Sequence, residues 1–577
     1  MDFNQCLVLE TNGFIMNAGI LGFLRLLEQV KAVKGVDYDY NEYQLFIDKH
    51  YLSHVDLAQA YIETCNALFY DVTHYARMRN ALKKTHAYVD WVEREATWTK
   101  EEKTKIQQGL ADIVKAIDVL TITKSLSNAC RWLQQEGVLE EDLPALVKGV
   151  KQTKDFSEKI KGLLLLEQCL ELPKVKETLC LVGVSLRVLS HFWMNKAFIK
   201  NSQGNTVILS DQNMKALLDE GLVQPFKEQL NATQFTDKTC AECDCPLPKK
   251  SKTPNLSFMN DMVDDIAKKP SAFWNFDKNQ ALLCDHCAFL YVLMPLGFAS
   301  MGHEMVFVNA NTTIEAMVLA NSTYSSLTEG QVFNWNHLCQ QLIQRCVEKQ
   351  ILQSDNIQIV IRSTEKGKER YRFEVLSYEA LRLLEKNQKL LEGLSKCYSF
   401  KLKSGDYWNV GEAVILSLLN YSHLYPILHQ LLRLSLDSEF ETSAKIQLPL
   451  VYAIQQSKRQ LQLEGEIQVK SKQLYFATKN AMEDGKALYR HLTYVAKKDT
   501  SSVVYRLLNA AQTNNKYEFL NTVLRLHTSY GLPLSVDFMK LLNDSSFFKD
   551  MAYAYLLGLQ GVAETTTKEG VTVNDEK

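Results

Sequence analysis

Two Cys-X-X-Cys tetrads stand out among the residues able to do chemistry. They are Cys240-Ala241-Glu242-Cys243 and Cys284-Asp285-His286-Cys287, with 40 residues between them. Each tetrad puts two thiolates on one tight turn, and two such turns complete the sulfur tetrahedron that Zn²⁺ prefers. Four thiolates leave no open coordination position, so the spacing predicts a structural Zn²⁺ rather than a catalytic one. Cys245 and His286 are spare donors that could replace one member. The stretch between the tetrads is rich in Lys and Asn, contains Pro254 and Pro270, and reads as an insertion between the two halves of the site.

A second cluster is basic. Residues 356–362 and 371–376 alternate β-branched or aromatic residues with polar ones, and the polar stretch between them contains Gly367. That pattern predicts a β-hairpin. It carries Arg362, Lys366, Lys368, Arg370 and Arg372 against Glu365 and Glu369. A two-stranded ribbon with a basic tip suits contacts to nucleic-acid phosphates; the alternative is a solvated turn. No constellation for catalysis emerges. The sequence lacks a GxxxxGK[ST] loop and a GxSxG elbow. His303-Glu304 lacks the second His of a zincin, and the acidic pairs Asp37/Asp39 and Asp264-Asp265 lack further acidic partners at recognisable spacing. The chain is expected not to be an enzyme.

The elements that must position these residues follow from composition and periodicity. With 577 residues the chain is expected to form several structural units. Hydrophobic residues at 46% and charged residues at 23% are the balance of a globular protein. The net charge of −2 excludes a blanket polycation, but residues 441–530 hold 13 Lys/Arg against 7 Asp/Glu, and residues 151–200 hold nine against five. Thirteen cysteines without an export signal argue against a disulfide framework and for a cytoplasmic protein. No stretch is long and apolar enough to span a membrane.

Asn17 is expected to cap a first helix over residues 18–30, on which Gly19 and Gly22 share a face and let a neighbouring backbone come close. Helical periods run through 43–84 and 101–136, with a Thr99/Glu102 capping box and a stop at Gly137. Strands are expected at 206–209 and 304–309, and a helix at 312–319. Past Gly405 the pattern is helical throughout, with Gly531 and Pro533 as stops. The fold class is therefore α+β: a helix-rich region over 1–235, a zinc-binding and β-hairpin region over 236–404, an all-α bundle over 405–562 and a disordered tail over 563–577.

Four segments carry a resemblance to a known family. Phe14-Ile15-Met16-Asn17-Ala18-Gly19-Ile20 with Gly22-Phe23-Leu24-Arg25-Leu26-Leu27-Glu28 resembles the opening of the large subunit of type I-B CRISPR Cascade complexes. The tetrads followed by Phe289-Leu290-Tyr291 and Pro295-Leu296-Gly297-Phe298 are similar to that family's zinc region. Val306-Phe307-Val308-Asn309 resembles its strand ending in Asn, and the segment 552–561, AYAYLLGLQG, its C-terminal signature.

The resemblance implies a non-catalytic subunit of an RNA-guided surveillance complex. Its expected partners are the CRISPR RNA, the target double-stranded DNA and its displaced strand, the backbone and small Cascade subunits, and the recruited helicase-nuclease. Two rival readings are a zinc-containing helical scaffold without nucleic acid, and a type III-like large subunit with nuclease or cyclase activity. The latter would need a Gly-Gly-Asp-Asp-type turn, which the sequence lacks.

Overall fold

The computed structural model describes residues 3–92, 99–189, 192, 214–249, 282–301, 304–310, 313–321, 357–365, 368–402, 405, 407–464, 468–540 and 547–561. It is helix-rich with small antiparallel sheets, and it divides into two compact units. The first takes in Met1–Phe333 and Ile357–Glu374, the second Asn334–Asn356 and Val375–Lys577.

In the first unit, Cys6–Glu10, Gln44–Asp48 and Tyr38–Tyr40 form an antiparallel sheet with Gln44–Asp48 in the middle. Helical period does not extend through residue 44, as the sequence pattern has it. Leu45 and Ile47 alternate with half-exposed neighbours, the period of a strand, and helix begins only at Lys49 under an Asp48 cap. The first helix is Phe14–Gln29 and starts before Asn17, with Gly13 at its N-cap. Asn17 lies inside it, buried; its Oδ1 accepts from the Asn12 N–H at 2.9 Å, and its Nδ2 donates to Asn309 Oδ1 at 2.8 Å. The capping box of Thr99 and Glu102 opens Lys100–Ile117, and Gly137 takes φ 71° after the helix that ends at Gln135.

Two buried helices form the centre of this unit. Asp285–Gly297 is buried along almost its whole length and packs on Phe14–Gln29. A Cβ added to Gly19 would meet the Leu290 carbonyl oxygen at 2.5 Å; one on Gly22 would meet that of Leu293, and one on Gly297 that of Ala18. Glycine is required at all three because the two backbones touch. Arg25 closes the far end, donating to the carbonyl oxygens of Leu296, Phe298 (3.3 Å) and Asn321 (2.9 Å). A four-stranded sheet follows in the order Ala299–Met301, Glu304–Asn309, Ile357–Glu365, Lys368–Leu376. The predicted strand and hairpin are thus neighbours in one sheet, and the predicted helix is Ile314–Asn321. Residues 206–209 lie outside the described ones.

The described residues of the second unit are almost entirely helical. Tyr378–Lys386 and Gln388–Ser395 precede residue 405 yet pack in this unit, where the Asn387 Nδ2 donates to Ser457 Oγ at 3.1 Å. Val410–Leu419, Tyr425–Leu434, Glu441–Glu464, Gln468–Arg490, Ser501–Gln512 and Lys516–Tyr530 follow. Gly531 ends the last of these in the left-handed region. One strand falls past Gly405 after all: Tyr407–Trp408 pairs with Phe400–Lys401, two residues a side and too short to leave a periodic signal. The closing helix Phe548–Leu559 is wholly buried except at its start and packs on Gln468–Arg490. Gly485 faces the Tyr555 carbonyl and Gly558 that of Met482, so glycine again brings two backbones together. Residues 563–577 lie outside the described ones. No helix among the described residues is long and apolar enough to cross a membrane.

Glycine contacts of this kind are sensitive to one methyl group. Gly22→Ala and Gly558→Ala should each destabilise the unit that holds them by about 1–3 kcal/mol or more, because backbone rather than a flexible side chain must yield. Gly149→Ala, on Leu143–Gln152 with open space around it, should instead be neutral or stabilising by up to ~1 kcal/mol. Urea-unfolding midpoints of the three variants check the ordering.

Candidate metal centre

The first tetrad sits on the turn between Phe235–Thr239 and Pro246–Pro248, which pair antiparallel. Backbone bonds shape that turn: the Asp244 N–H donates to Cys240 O at 3.0 Å and the Cys240 N–H to Cys245 O at 2.9 Å, with Asp244 at φ 55°. The second tetrad opens the buried helix. Cys284 is the N-cap of Asp285–Gly297, and its Sγ accepts from the Cys287 N–H at 3.4 Å. The two halves meet through the Ala241 N–H, which donates to Leu282 O at 2.8 Å.

Sγ atoms of Cys240, Cys243, Cys284 and Cys287 all lie within 4.8 Å of one another. Cys243 Sγ and Cys284 Sγ are 3.7 Å apart. Zn–S bonds of ~2.3 Å set sulfurs ~3.8 Å apart along a tetrahedral edge, so the donor set fits that ion in both number and spacing. Backbone N–H groups of Glu242 and Cys284 point at Cys240 Sγ, at 3.4 and 3.3 Å, and favour its thiolate. The neighbouring thiols pull Cys240 well below the usual thiol range, and the same sulfur contacts push Cys287 up. A dication would take the place of the protons these sulfurs share.

Both spare donors fall outside the cluster. Cys245 is exposed on the turn. His286 faces the interior: its Nδ1 is 3.3 Å from Gln229 Nε2, its ring lies edge-on to Phe226 at 5.0 Å, and burial lowers its pKa to about 4. Glu242, between the first two cysteines, holds the knuckle to its surroundings. It accepts from Tyr291 Oη at 2.5 Å and from Asn12 Nδ2 at 3.3 Å, and burial raises its pKa. Sequence gives no signal for this carboxylate beyond its place inside a tetrad.

The basic hairpin needs a correction. Arg362 is 2% exposed, with its guanidinium 4.7 Å from the centre of the Tyr371 ring. Residues 357–361 around it are buried or half-buried because their strand is interior to the sheet, and a side chain so enclosed is not a surface contact for phosphate. Arg372 is half-exposed and sits 3.8 Å from carboxylate oxygens of both Glu304 and Glu374. Lys366 lies outside the described residues, as do the side chains of Lys368 and Arg370. Of the acidic pairs, Asp37 and Asp39 bond neighbouring backbone N–H groups, at 2.7 and 2.9 Å, and Asp264-Asp265 lies outside the described residues.

The cluster predicts its own metal chemistry. Purified protein should carry one zinc per chain; Cys243→Ser should lose most of it, and Cys245→Ala should keep it. Because protons compete for the same thiolates, zinc should leave as pH falls, and the strand pair and helix N-terminus it joins should then become protease-sensitive. Metal analysis and limited proteolysis across a pH series measure both.

Set against protein-family models, curated proteins and solved structures, the chain matches none of them.

Proposed function

We propose that this chain is the non-catalytic large subunit of an RNA-guided type I-B CRISPR surveillance complex acting in the cytoplasm in antiviral defence. It recognises the motif flanking the protospacer, contacts the 5′ handle of the CRISPR RNA and the target DNA, stabilises the opened duplex with its displaced strand, and recruits the helicase-nuclease. Backbone and small Cascade subunits are its partners, and a structural Zn²⁺ on Cys240, Cys243, Cys284 and Cys287 is its metal.

One observation carries this reading beyond the four resembling segments themselves. The first three, far apart in sequence, pack as one assembly: Gly19 and Gly22 lie against Leu290 and Leu293, and Asn17 bonds Asn309 at 2.8 Å. Segments that resemble one family in order also meet in space, as they must if they belong to a common fold. In such a complex base pairing reads the sequence, and the protein is left to read a few base pairs and the shape of the backbone. The basic excess over residues 441–530 suits the displaced strand. At the hairpin, Lys366, Lys368 and Arg370 remain the proposed phosphate contacts, with Arg372 shared between its carboxylates and the nucleic acid.

The zinc supplies a crosslink, not a reaction. It would tie the 240–243 turn to the start of the buried helix and so hold the first helix in place. A scaffold without nucleic acid would need the same crosslink, so the test must be RNA. Chain purified from the cells that make it should bring down RNA of uniform length with a common 5′ segment; absence of RNA above background overturns the proposal. For the assembled complex, a Lys366→Ala/Lys368→Ala change should weaken target binding by a similar factor on all targets. It should also flatten log K against log salt by about one to two units, as lost phosphate contacts require.

A further inference from the structure

The short helix Lys49–His54 in the first unit carries two histidines one turn apart. His50 and His54 are four residues apart in sequence, a spacing that puts both side chains on one face of a helix. Both are exposed, and their imidazole rings lie side by side with centroids 4.3 Å apart and planes inclined at 41°. Leu52, between them in sequence and on the opposite face, is fully buried and anchors the helix. Two imidazoles at this spacing are what the helix of a zinc protease offers its metal. Position 51 is Tyr, however, where a protease needs Glu as its general base, so the pair is equipped to bind a metal and not to hydrolyse.

A second observation fixes the proton on one ring. His54 Nδ1 lies 2.7 Å from the His50 carbonyl oxygen, one turn back. A carbonyl oxygen only accepts, so in the neutral ring Nδ1 carries the hydrogen and Nε2 keeps its lone pair. Metal-ligating histidines are oriented by the same bond, the far ring nitrogen donating to a backbone carbonyl or a carboxylate. His50 makes no hydrogen bond or ion pair among the described residues, so its ring is free to turn toward the same ion. Metal–nitrogen bonds of ~2.0–2.1 Å place two adjacent ligand nitrogens ~3 Å apart, which rings already in contact reach by side-chain rotation. Lys227 comes up to the end of the helix, but its ammonium is held by the carbonyl oxygens of Ser53 and Val55, at 3.1 and 2.9 Å. Asp48 caps the start, accepting from the Tyr51 N–H at 2.7 Å.

We propose that His50 and His54 form a second, exposed metal site that takes one late first-row divalent cation, Ni²⁺, Cu²⁺ or Zn²⁺, with water in the remaining positions. Imidazole nitrogen selects these ions over Mg²⁺ and Ca²⁺, which are held by oxygen. The site shares no ligand with the four cysteines, and it is open where theirs is closed. An ion on both rings also ties together one turn of a six-residue helix, which is too short to hold by its own hydrogen bonds. This inference goes beyond the RNA-guided reading, since it needs neither guide nor target.

Calorimetric titration of the full chain, first saturated with one equivalent of ZnCl₂ and dialysed, tests it with NiCl₂ and MgCl₂. Ni²⁺ should bind saturably and Mg²⁺ should not. His50→Gln and His54→Gln should each weaken Ni²⁺ about tenfold or more, because a chelate of two linked ligands becomes a single contact. The double variant should take up one Ni²⁺ fewer per chain. Both side chains are exposed, so circular dichroism and the zinc content of the variants should stay unchanged. His86→Gln removes an exposed histidine that pairs with Glu167 rather than with another imidazole, and should leave Ni²⁺ affinity as it was. No saturable Ni²⁺ binding, equal binding of Mg²⁺, or a double variant that takes up as much Ni²⁺ as the unchanged chain would overturn the proposal. So would a loss on His86→Gln as large as that on His54→Gln.

Discussion

The first unit depends on how closely two helices approach. Phe14–Gln29 and Asp285–Gly297 touch backbone to backbone because Gly19, Gly22 and Gly297 offer no Cβ to separate them. That contact sets where the rest must lie. Asn17 is drawn to Asn309, fixing the end of an inner strand of the sheet, and Arg25 is drawn to the carbonyls that end the second helix. The same helix begins in the second tetrad, so the cysteine cluster and the helix pair form one mechanical element. A metal there would act on the core through the helix it caps, and Glu242 adds a second tie through Tyr291 and Asn12. Interior packing at this density has no slack, which is why one methyl group at Gly22 matters more than most surface changes.

The second unit uses the same device for a different end. Gly485 and Gly558 let Phe548–Leu559 sink among its neighbours until its residues are almost wholly buried. Burying Asp550 on that helix creates a charge that must be answered, and Arg459 with Tyr425 answers it.

How much of this was legible in the sequence varies with the range of the interaction. The cysteine tetrads were, because a metal site is written as local spacing twice over, and the structure gathers the same four sulfurs. Gly19 and Gly22 were as well, since a three-residue spacing on a helix defines a face whatever packs on it. The capping box at Thr99 and the stop at Gly531 are local hydrogen-bond chemistry and read directly. Arg362 was misplaced because alternation along a strand says which residues share a face but not whether that face is covered; Tyr371 beside it settles that only in three dimensions. Gln44–Asp48 was absorbed into the helical pattern that follows it, and Tyr407–Trp408 is too short for any period. The Glu242–Tyr291 bond joins residues whose pairing only the tertiary fold decides.

Zinc K-edge absorption spectroscopy of the purified chain tests the central claim most directly, that four cysteines hold one metal at the start of the core helix. A single shell of four sulfur scatterers at ~2.3 Å, with no nitrogen or oxygen in the first coordination sphere, is the result expected for Cys240, Cys243, Cys284 and Cys287. A mixed sulfur–nitrogen shell would put a histidine in the site, and protein that purifies folded with no zinc at all would contradict the account outright.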